Sequence, residues 1–352
     1  TNTITAVKNA QLAQSPVVLL GGAAATLLQG RGALQDIDQR ALFRPHVKWC
    51  RAVKRVRDLA PAIQKGFRIA QSGIPGPVFI ECPVDLLYDE PVIREWYDSA
   101  TPKGNSLPDR VMRMYLQNHA RRLFADPDSA DTDHVAMVAE QPPAQGLVDK
   151  AATRLLNAER PLLVVGSQSL VDAGQADAVA RAIDTLGIPV YLSGMARGLL
   201  GPAHPLHRRH QRRNALKEAD VVILAGVPSD FRLDYGRHVR RSACLVSANR
   251  SKVDLKRNRK PDVGALADAG LFLRALAATL DRGARSRWQD WHLALEARDA
   301  EREAQIDATA EREADYVNPV ALCRRIDAGL PDDSVIVADG GDFVGTASYI
   351  VK

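Results

Sequence analysis

The chain has 352 residues, of which 46% are hydrophobic and 25% charged, which suits two globular domains and part of a third. That balance excludes collagen-like repeats, coiled coil and wholesale disorder, and no apolar run nears the roughly 20 residues that cross a bilayer. Net charge is +5, from 47 Lys+Arg against 42 Asp+Glu. The excess is concentrated between Arg197 and Lys260, where 16 basic residues face 5 acidic ones. Such a block reads as a solvated face, an RNA-binding patch or a site for a phosphorylated small molecule. Nucleic acid is disfavoured, because aromatics are only 5% of the chain and none form a stacking motif among these charges.

In chain order, a helix is expected over Thr3–Gln14, then a buried strand over 16–22, Pro-Val-Val-Leu-Leu-Gly-Gly. Val56, Leu59, Ala60, Ile63, Phe67 and Ala70 keep helical spacing. The Gly/Pro run at 72–77 ends that helix, and Val78–Pro83 is the next strand. Residues 89–145, with prolines at 91, 102, 108, 127, 142 and 143, read as a long linker holding one helix over Val111–Phe124. A second α/β unit begins near Leu147. Its helices are expected to Leu156 and over 175–186 and 211–218, and its strands over 162–165, 187–192, 219–226 and 243–246. Residues 284–315 form a connecting helix with Trp288, Trp291, Leu293 and Leu295 along one edge. A third unit then opens with helix 319–328, strand Ser334–Ala338 and the turn Asp339-Gly340-Gly341-Asp342. The alternation is that of an α/β protein with doubly wound, mostly parallel sheets, in which ligands bind at the C-terminal strand ends. The domain reading is 1–95, a linker 96–145, a central domain 146–283, a connecting helix 284–318, and 319–352 as the start of another domain. Both ends read as cut, with neither an initiator Met at Thr1 nor a finished element at Lys352.

Motifs for serine hydrolases, zinc proteases, P-loops and dinucleotide folds are missing from the sequence. His204, His207 and His210 are spaced by three around a proline, a spacing that rarely converges on one ion. No metal site is assigned. Cys50, Cys82, Cys244 and Cys323 lie far apart and fit free thiols in a reducing compartment. The run Gly194–Gly201 follows a strand; it is either a simple βα turn or a loop whose amides, from Met195 onward, and Arg197 face a phosphate. Two glycines at 340 and 341 allow a diphosphate to approach the backbone, although a plain tight turn explains them as well.

Together, R-G-A-L-Q-D-I-D-Q (31–39), S-G-I-P-G-P-V-F-I-E-C-P-V-D-L-L (72–87), G-M-A-R-G-L-L-G-P-A-H-P-L-H (194–207), A-D-V-V-I-L-A-G (219–226) and D-G-G-D-F-V-G-T-A-S (339–348) resemble the thiamine-diphosphate enzymes of the acetolactate synthase group. The order of motifs is the family's, and the chain most resembles its 2-hydroxyacyl-CoA lyase branch. The resemblance implies the middle portion of a three-domain architecture and a cofactor, thiamine diphosphate with Mg²⁺, held between domains of a homodimer or homotetramer. This cofactor acts as an electron sink for carbon–carbon cleavage or ligation. The family's catalytic glutamate and its Mg²⁺ ligands match nothing here, so this chain by itself is expected to be inactive. Thr1 and Asn2 match the end of a stretch near the cofactor. Gln35 matches an active-site glutamine whose usual Phe and Glu neighbours are here Leu34 and Asp36. Gly340, Gly341 and Asp342 match residues that contact the diphosphate. The resemblance further implies cleavage of a 2-hydroxyacyl-CoA to an aldehyde and formyl-CoA, with Arg197, Arg208, Arg209, Arg212 and Arg213 as candidates for the CoA phosphates. The alternatives are acetolactate synthesis from a 2-oxo acid with FAD bound, and a catalytically dead nucleotide-binding scaffold.

Overall fold

A computed structural model describes residues 2–101, 104–126, 139–280, 284–331, 334–338 and 340–351. The chain divides into two compact units, Thr1–Ala139 and Glu140–Lys352.

The first unit is built on three parallel strands, β1 (Val18–Ala23), β2 (Trp49–Ala52) and β3 (Val78–Pro83), in the order β1-β3-β2. The central strand β3 is buried along its whole length, as its run Val-Phe-Ile-Glu-Cys-Pro requires of a strand covered on both faces. Its helices are α1 (Ile4–Ala13), α2 (Gln39–Phe43), α3 (Leu59–Gln71), α4 (Glu90–Ser99) and α5 (Leu107–Leu123). Phe43 of α2 stacks on Phe79 at 4.4 Å between ring centroids.

The stretch read as a linker with one helix departs from that reading. It contains both α4 and α5, and Ile93, Leu123 and Phe124 share a core with Val53, Ile80 and Leu86. Pro108 does not break α5 because it sits in the first turn, where an amide proton is dispensable. The helix starts at a capping box, with the Ser106 side chain accepting from the Asp109 N–H and the Asp109 carboxylate from the Ser106 N–H.

The second unit carries five parallel strands: β4 (Pro161–Val165), β5 (Val190–Leu192), β6 (Val221–Ala225), β7 (Cys244–Asn249) and β8 (Val263–Leu266), in the order β5-β4-β6-β7-β8. Around them lie α6 (Gln145–Leu156), α7 (Ala176–Leu186), α8 (Arg212–Glu218), α9 (Lys252–Leu255) and α10 (Ala269–Ala278). Leu162, Leu163, Ile223, Val246 and Phe272 have no exposed surface; full burial of such side chains contributes about 1.5–3 kcal/mol each. The long helix α11 (Gln289–Ala310) is fastened to this sheet by two indoles. Trp288 Nε1 donates to the Ala158 carbonyl at 2.8 Å, and Trp291 Nε1 to that of Pro161 at 2.9 Å.

Beyond it, α12 (Pro319–Gly329) and α13 (Asp342–Ile350) bury Val320, Cys323 and Ile350 against Ile306 of α11. The strand expected over Ser334–Ala338 is not formed: these residues pair with no strand, and Val335 and Val337 are about nine-tenths exposed. A strand needs a neighbour for its ladder, and among the described residues none lies beside this one. No helix of the described residues is long and apolar enough to cross a membrane.

Candidate functional site

In the second unit β5 lies to one side of β4 and β6 to the other, so the winding reverses between β4 and β6. In open α/β sheets the ligand crevice opens at this point, outside the carboxyl ends of the strands. The turns there are locked together. The Gly166 N–H donates to Ala225 O at 2.8 Å and the Gly226 N–H to Ala248 O at 2.9 Å. Gly226 is left-handed (φ +69°), and a Cβ on it would stand 2.8 Å from the Ser169 nitrogen and 2.9 Å from the Gln168 Cβ; only glycine satisfies both demands. Ser169 Oγ donates to Ala225 O at 3.0 Å, and Gln168 Oε1 accepts from the Arg250 N–H at 2.8 Å.

The C-terminal strand ends at this point carry buried polar side chains. The Arg250 guanidinium pairs with Asp268 at 2.5 Å with only 2% of its side chain exposed. Asn249, at the end of β7, accepts the Ser251 N–H through Oδ1, whereas its buried Nδ2 has no partner among the described residues. An unmet buried donor at a strand end is the kind of group a bound ligand satisfies.

After β6, Asp234, Tyr235 and Gly236 are successively left-handed (φ +49°, +54° and +77°). They turn out two exposed rings, Phe231 and Tyr235, with the guanidinium groups of Arg232 and Arg237 5.6 and 5.7 Å from the ring centroids. Flat apolar faces beside fixed cations suit a base and its phosphates.

The five candidate arginines do not act alike. Arg208 is buried and donates to the carbonyls of Pro205, His207 and His292. Arg209 bonds Glu303 and the carbonyls of Tyr349, Ile350 and Val351, closing the C-terminal end of α13. Arg212 donates to Arg232 O at 2.7 Å, and Arg197 to the Ser348 carbonyl. Burial pulls the Arg209 and Arg212 pKa values below the usual guanidinium value. Four of the five therefore have partners within the protein. Arg213, exposed like Arg197, helps through its charge to hold the Asp234 carboxyl below its ordinary pKa, after the hydrogen bond from Arg237. The acidic face of α11 packs on part of the basic run: Asp299 accepts the N–H groups of Arg209 and His210, and Glu303 bonds His210 Nε2 at 2.8 Å.

Met195 is exposed, and its N–H is taken by Ser167 Oγ at 3.1 Å. The three histidines diverge to different partners, His204 toward Asp184, His207 to Gly201 O and His210 to Glu303. Among the described residues no three metal-ligating side chains cluster. Burial lowers the His207 pKa from 6.5, the Gly201 carbonyl opposing it. The unfolded chain therefore takes up a proton before the native one does, and stability falls as pH drops below 6.5 through the native pKa. Denaturation midpoints of wild type and His207→Gln, compared between pH 7.5 and 5.5, should show the smaller loss in the variant.

In the first unit, Gln35 is exposed and left-handed (φ +61°) in the loop that follows β1. Asn2 is exposed. Thr1 and Asp339 lie outside the described residues. Gly340 and Gly341 precede α13, whose first residue is Asp342; Gly341 has φ +92°, and a Cβ on either glycine would meet nothing within 4 Å. Glycines with open space around Cα at a helix N-terminus allow a diphosphate group to approach.

Residues 148–276 match the family described as thiamine pyrophosphate enzyme, central domain. Over these residues the five-stranded unit is thus similar to the central domain of thiamine pyrophosphate enzymes, and the flanking segments are α/β as well. The whole chain is 45% identical to 2-hydroxyacyl-CoA lyase 2 of Danio rerio, covering 57% of that protein. It is 28% identical, again over its whole length, to a probable acetolactate synthase of Mycobacterium bovis, covering 57% of it. The benzoylformate decarboxylase of Polynucleobacter necessarius aligns with 99% of the chain at a TM-score of 0.62 and 17% identity, a likeness of fold. The chain spans a little over half the length of the relatives it matches.

Proposed function

We propose that the whole protein is a thiamine-diphosphate- and Mg²⁺-dependent lyase that cleaves a 2-hydroxyacyl-CoA between C1 and C2, giving an aldehyde and formyl-CoA. The observation that carries this reading is the gap in identity over the same full chain, 45% to a 2-hydroxyacyl-CoA lyase against 28% to an acetolactate synthase. When bound, thiamine diphosphate supplies the electron sink for breaking the bond. This chain contributes the Gly340–Gly341 backbone toward the diphosphate and Gln35 toward the reacting group. Its five-stranded unit takes the nucleotide end of CoA, with the unmet Asn249 amide and the exposed Phe231, Tyr235 and Arg213 as the groups that support this reading. The protein works as a homodimer or homotetramer.

The same crevice suits FAD, so acetolactate synthesis is the second reading. The full-length enzyme, given thiamine diphosphate, Mg²⁺ and a 2-hydroxyacyl-CoA, should release aldehyde and formyl-CoA. Condensation of pyruvate to acetolactate that needs FAD, with CoA esters untouched, would establish the second reading instead. Arg213→Glu should raise KM for the CoA ester about tenfold and leave kcat nearly unchanged, because a remote phosphate contact binds ground and transition states alike. An unchanged KM would remove Arg213 from the site.

A further inference from the structure

Residues 24–38 form the loop that carries Gln35, and most of its hydrogen bonds close on itself. Leu28 N–H reaches Ala25 O, Arg31 N–H reaches Leu28 O and Asp36 N–H reaches Ala33 O, while Asp36 Oδ2 accepts from the Gly30 N–H. Gln29 holds Ala24 O, and at the base Gln39 holds Gly22 O. The loop is left-handed at Gly30, Gly32 and Gln35. For Gln35 that conformation is unfavourable unless the surroundings impose it.

At the loop's C-terminal end Asp38 caps α2, taking the Ala41 N–H at 3.0 Å; away from that junction, Thr26 ties the loop to other elements. Its N–H and its hydroxyl both donate to Asp85 Oδ2, at 3.0 and 2.5 Å, and its Oγ1 lies 2.7 Å from His119 Nε2. The Tyr97 hydroxyl donates to the same Asp85 oxygen at 2.7 Å. Asp85 is completely buried in the turn after β3, Tyr97 belongs to α4 and His119 to α5. Since the Thr26 proton goes to Asp85, Nε2 of His119 must carry a hydrogen and donate to Oγ1. The carboxylate faces the hydroxyl and not the far ring nitrogen, so this is not the geometry of an activated nucleophile. A buried carboxylate that collects three donors fixes them in direction as well as distance.

We propose that Asp85, Tyr97 and His119 are positioning residues for the Gln35 loop, acting through Thr26. The role in turnover rests on the lyase reading above; the anchoring itself does not. Helices α4 and α5 thereby help to place the loop that carries Gln35.

The test uses the full-length protein as wild type and as Thr26→Val, Thr26→Ser, His119→Ala and Tyr97→Phe. Amide hydrogen exchange across 24–38 reports the anchor without any activity, and kcat and KM report its consequence. Thr26→Val and His119→Ala should speed exchange in that peptide and lower kcat about ten- to a hundredfold with little change in KM. Thr26→Ser should restore both. If Thr26→Val does not fold, Tyr97→Phe, which removes one donor of three, should show the same effects in smaller measure. Folded variants with unaltered exchange over 24–38, or faster exchange with unaltered kcat, would overturn the proposal. A wild type without lyase activity would defeat the functional reading, and the exchange result would still decide the anchor.

Discussion

Asp268→Ala should destabilise the second unit by about 3–5 kcal/mol, because it leaves the guanidinium of Arg250 buried without its counter-ion. The pair is 2.5 Å apart, with side-chain exposures of 2% and 12%. Asp268 also precedes α10, where a carboxylate favours the amide end of the helix. Urea denaturation of the full-length protein, monitored by far-ultraviolet circular dichroism, measures the loss. Asp268→Asn keeps an acceptor and should lose less; a loss below about 1 kcal/mol in Asp268→Ala would mean the pair contributes no more than an exposed one. Since the Arg250 N–H also holds Gln168, the same variant should weaken ligand binding in the crevice.

Gly226→Val is the second large effect. The left-handed backbone at 226 penalises any β-carbon by about 1–2 kcal/mol. The added atoms also meet the Ser169 nitrogen and the Gln168 side chain at under 3 Å, a steric conflict that costs about 1–3 kcal/mol more. A total loss of about 2–5 kcal/mol is expected, together with loss of nucleotide binding, since the β4 and β6 turns must separate. Gly146→Ala is the control: it lies in α6, a Cβ there would meet nothing within 4 Å, and it should stabilise by about 0.5–1 kcal/mol. Equal effects at the two positions would refute the steric argument.

The central strands were legible in the sequence because burial on both faces leaves a continuous apolar run. β3, β4 and β6 are of this kind. The two strands that escaped, β2 and β8, are sheet edges. Each is only partly covered, with Arg51 exposed in one and Leu266 in the other, so neither shows the run. The opposite error occurred at 334–338, where Ser-Val-Ile-Val-Ala has a strand's composition and no ladder partner among the described residues. Side-chain polarity is written in the sequence; the neighbour that completes a sheet is not. The start of α5 is encoded in Ser106, Pro108 and Asp109, where proline, a breaker inside a helix, acts as an initiator in the first turn.

The site divides in the same way. Strand ends closing on glycine are legible in the sequence, and Gly166 and Gly226 indeed form the turns after β4 and β6. Among the arginines, Arg209 has its acidic partners far along the chain, Asp299 and Glu303 some 90 residues beyond it. A count of charge in one segment cannot register an acidic helix that folds back onto it. Asn249 carried no local signal either, since its unmet amide is a property of the folded strand end alone.

The two indoles that fasten α11 to the sheet also give the protein an optical signature. Of the four tryptophans, Trp288 and Trp291 are buried in the second unit, whereas in the first Trp96 is 44% exposed and Trp49 lies half-buried beneath Lys65. In this chain the second unit should emit at short wavelength and resist iodide, while quenching falls on Trp96. Intrinsic fluorescence therefore distinguishes the melting of one unit from that of the other without a label.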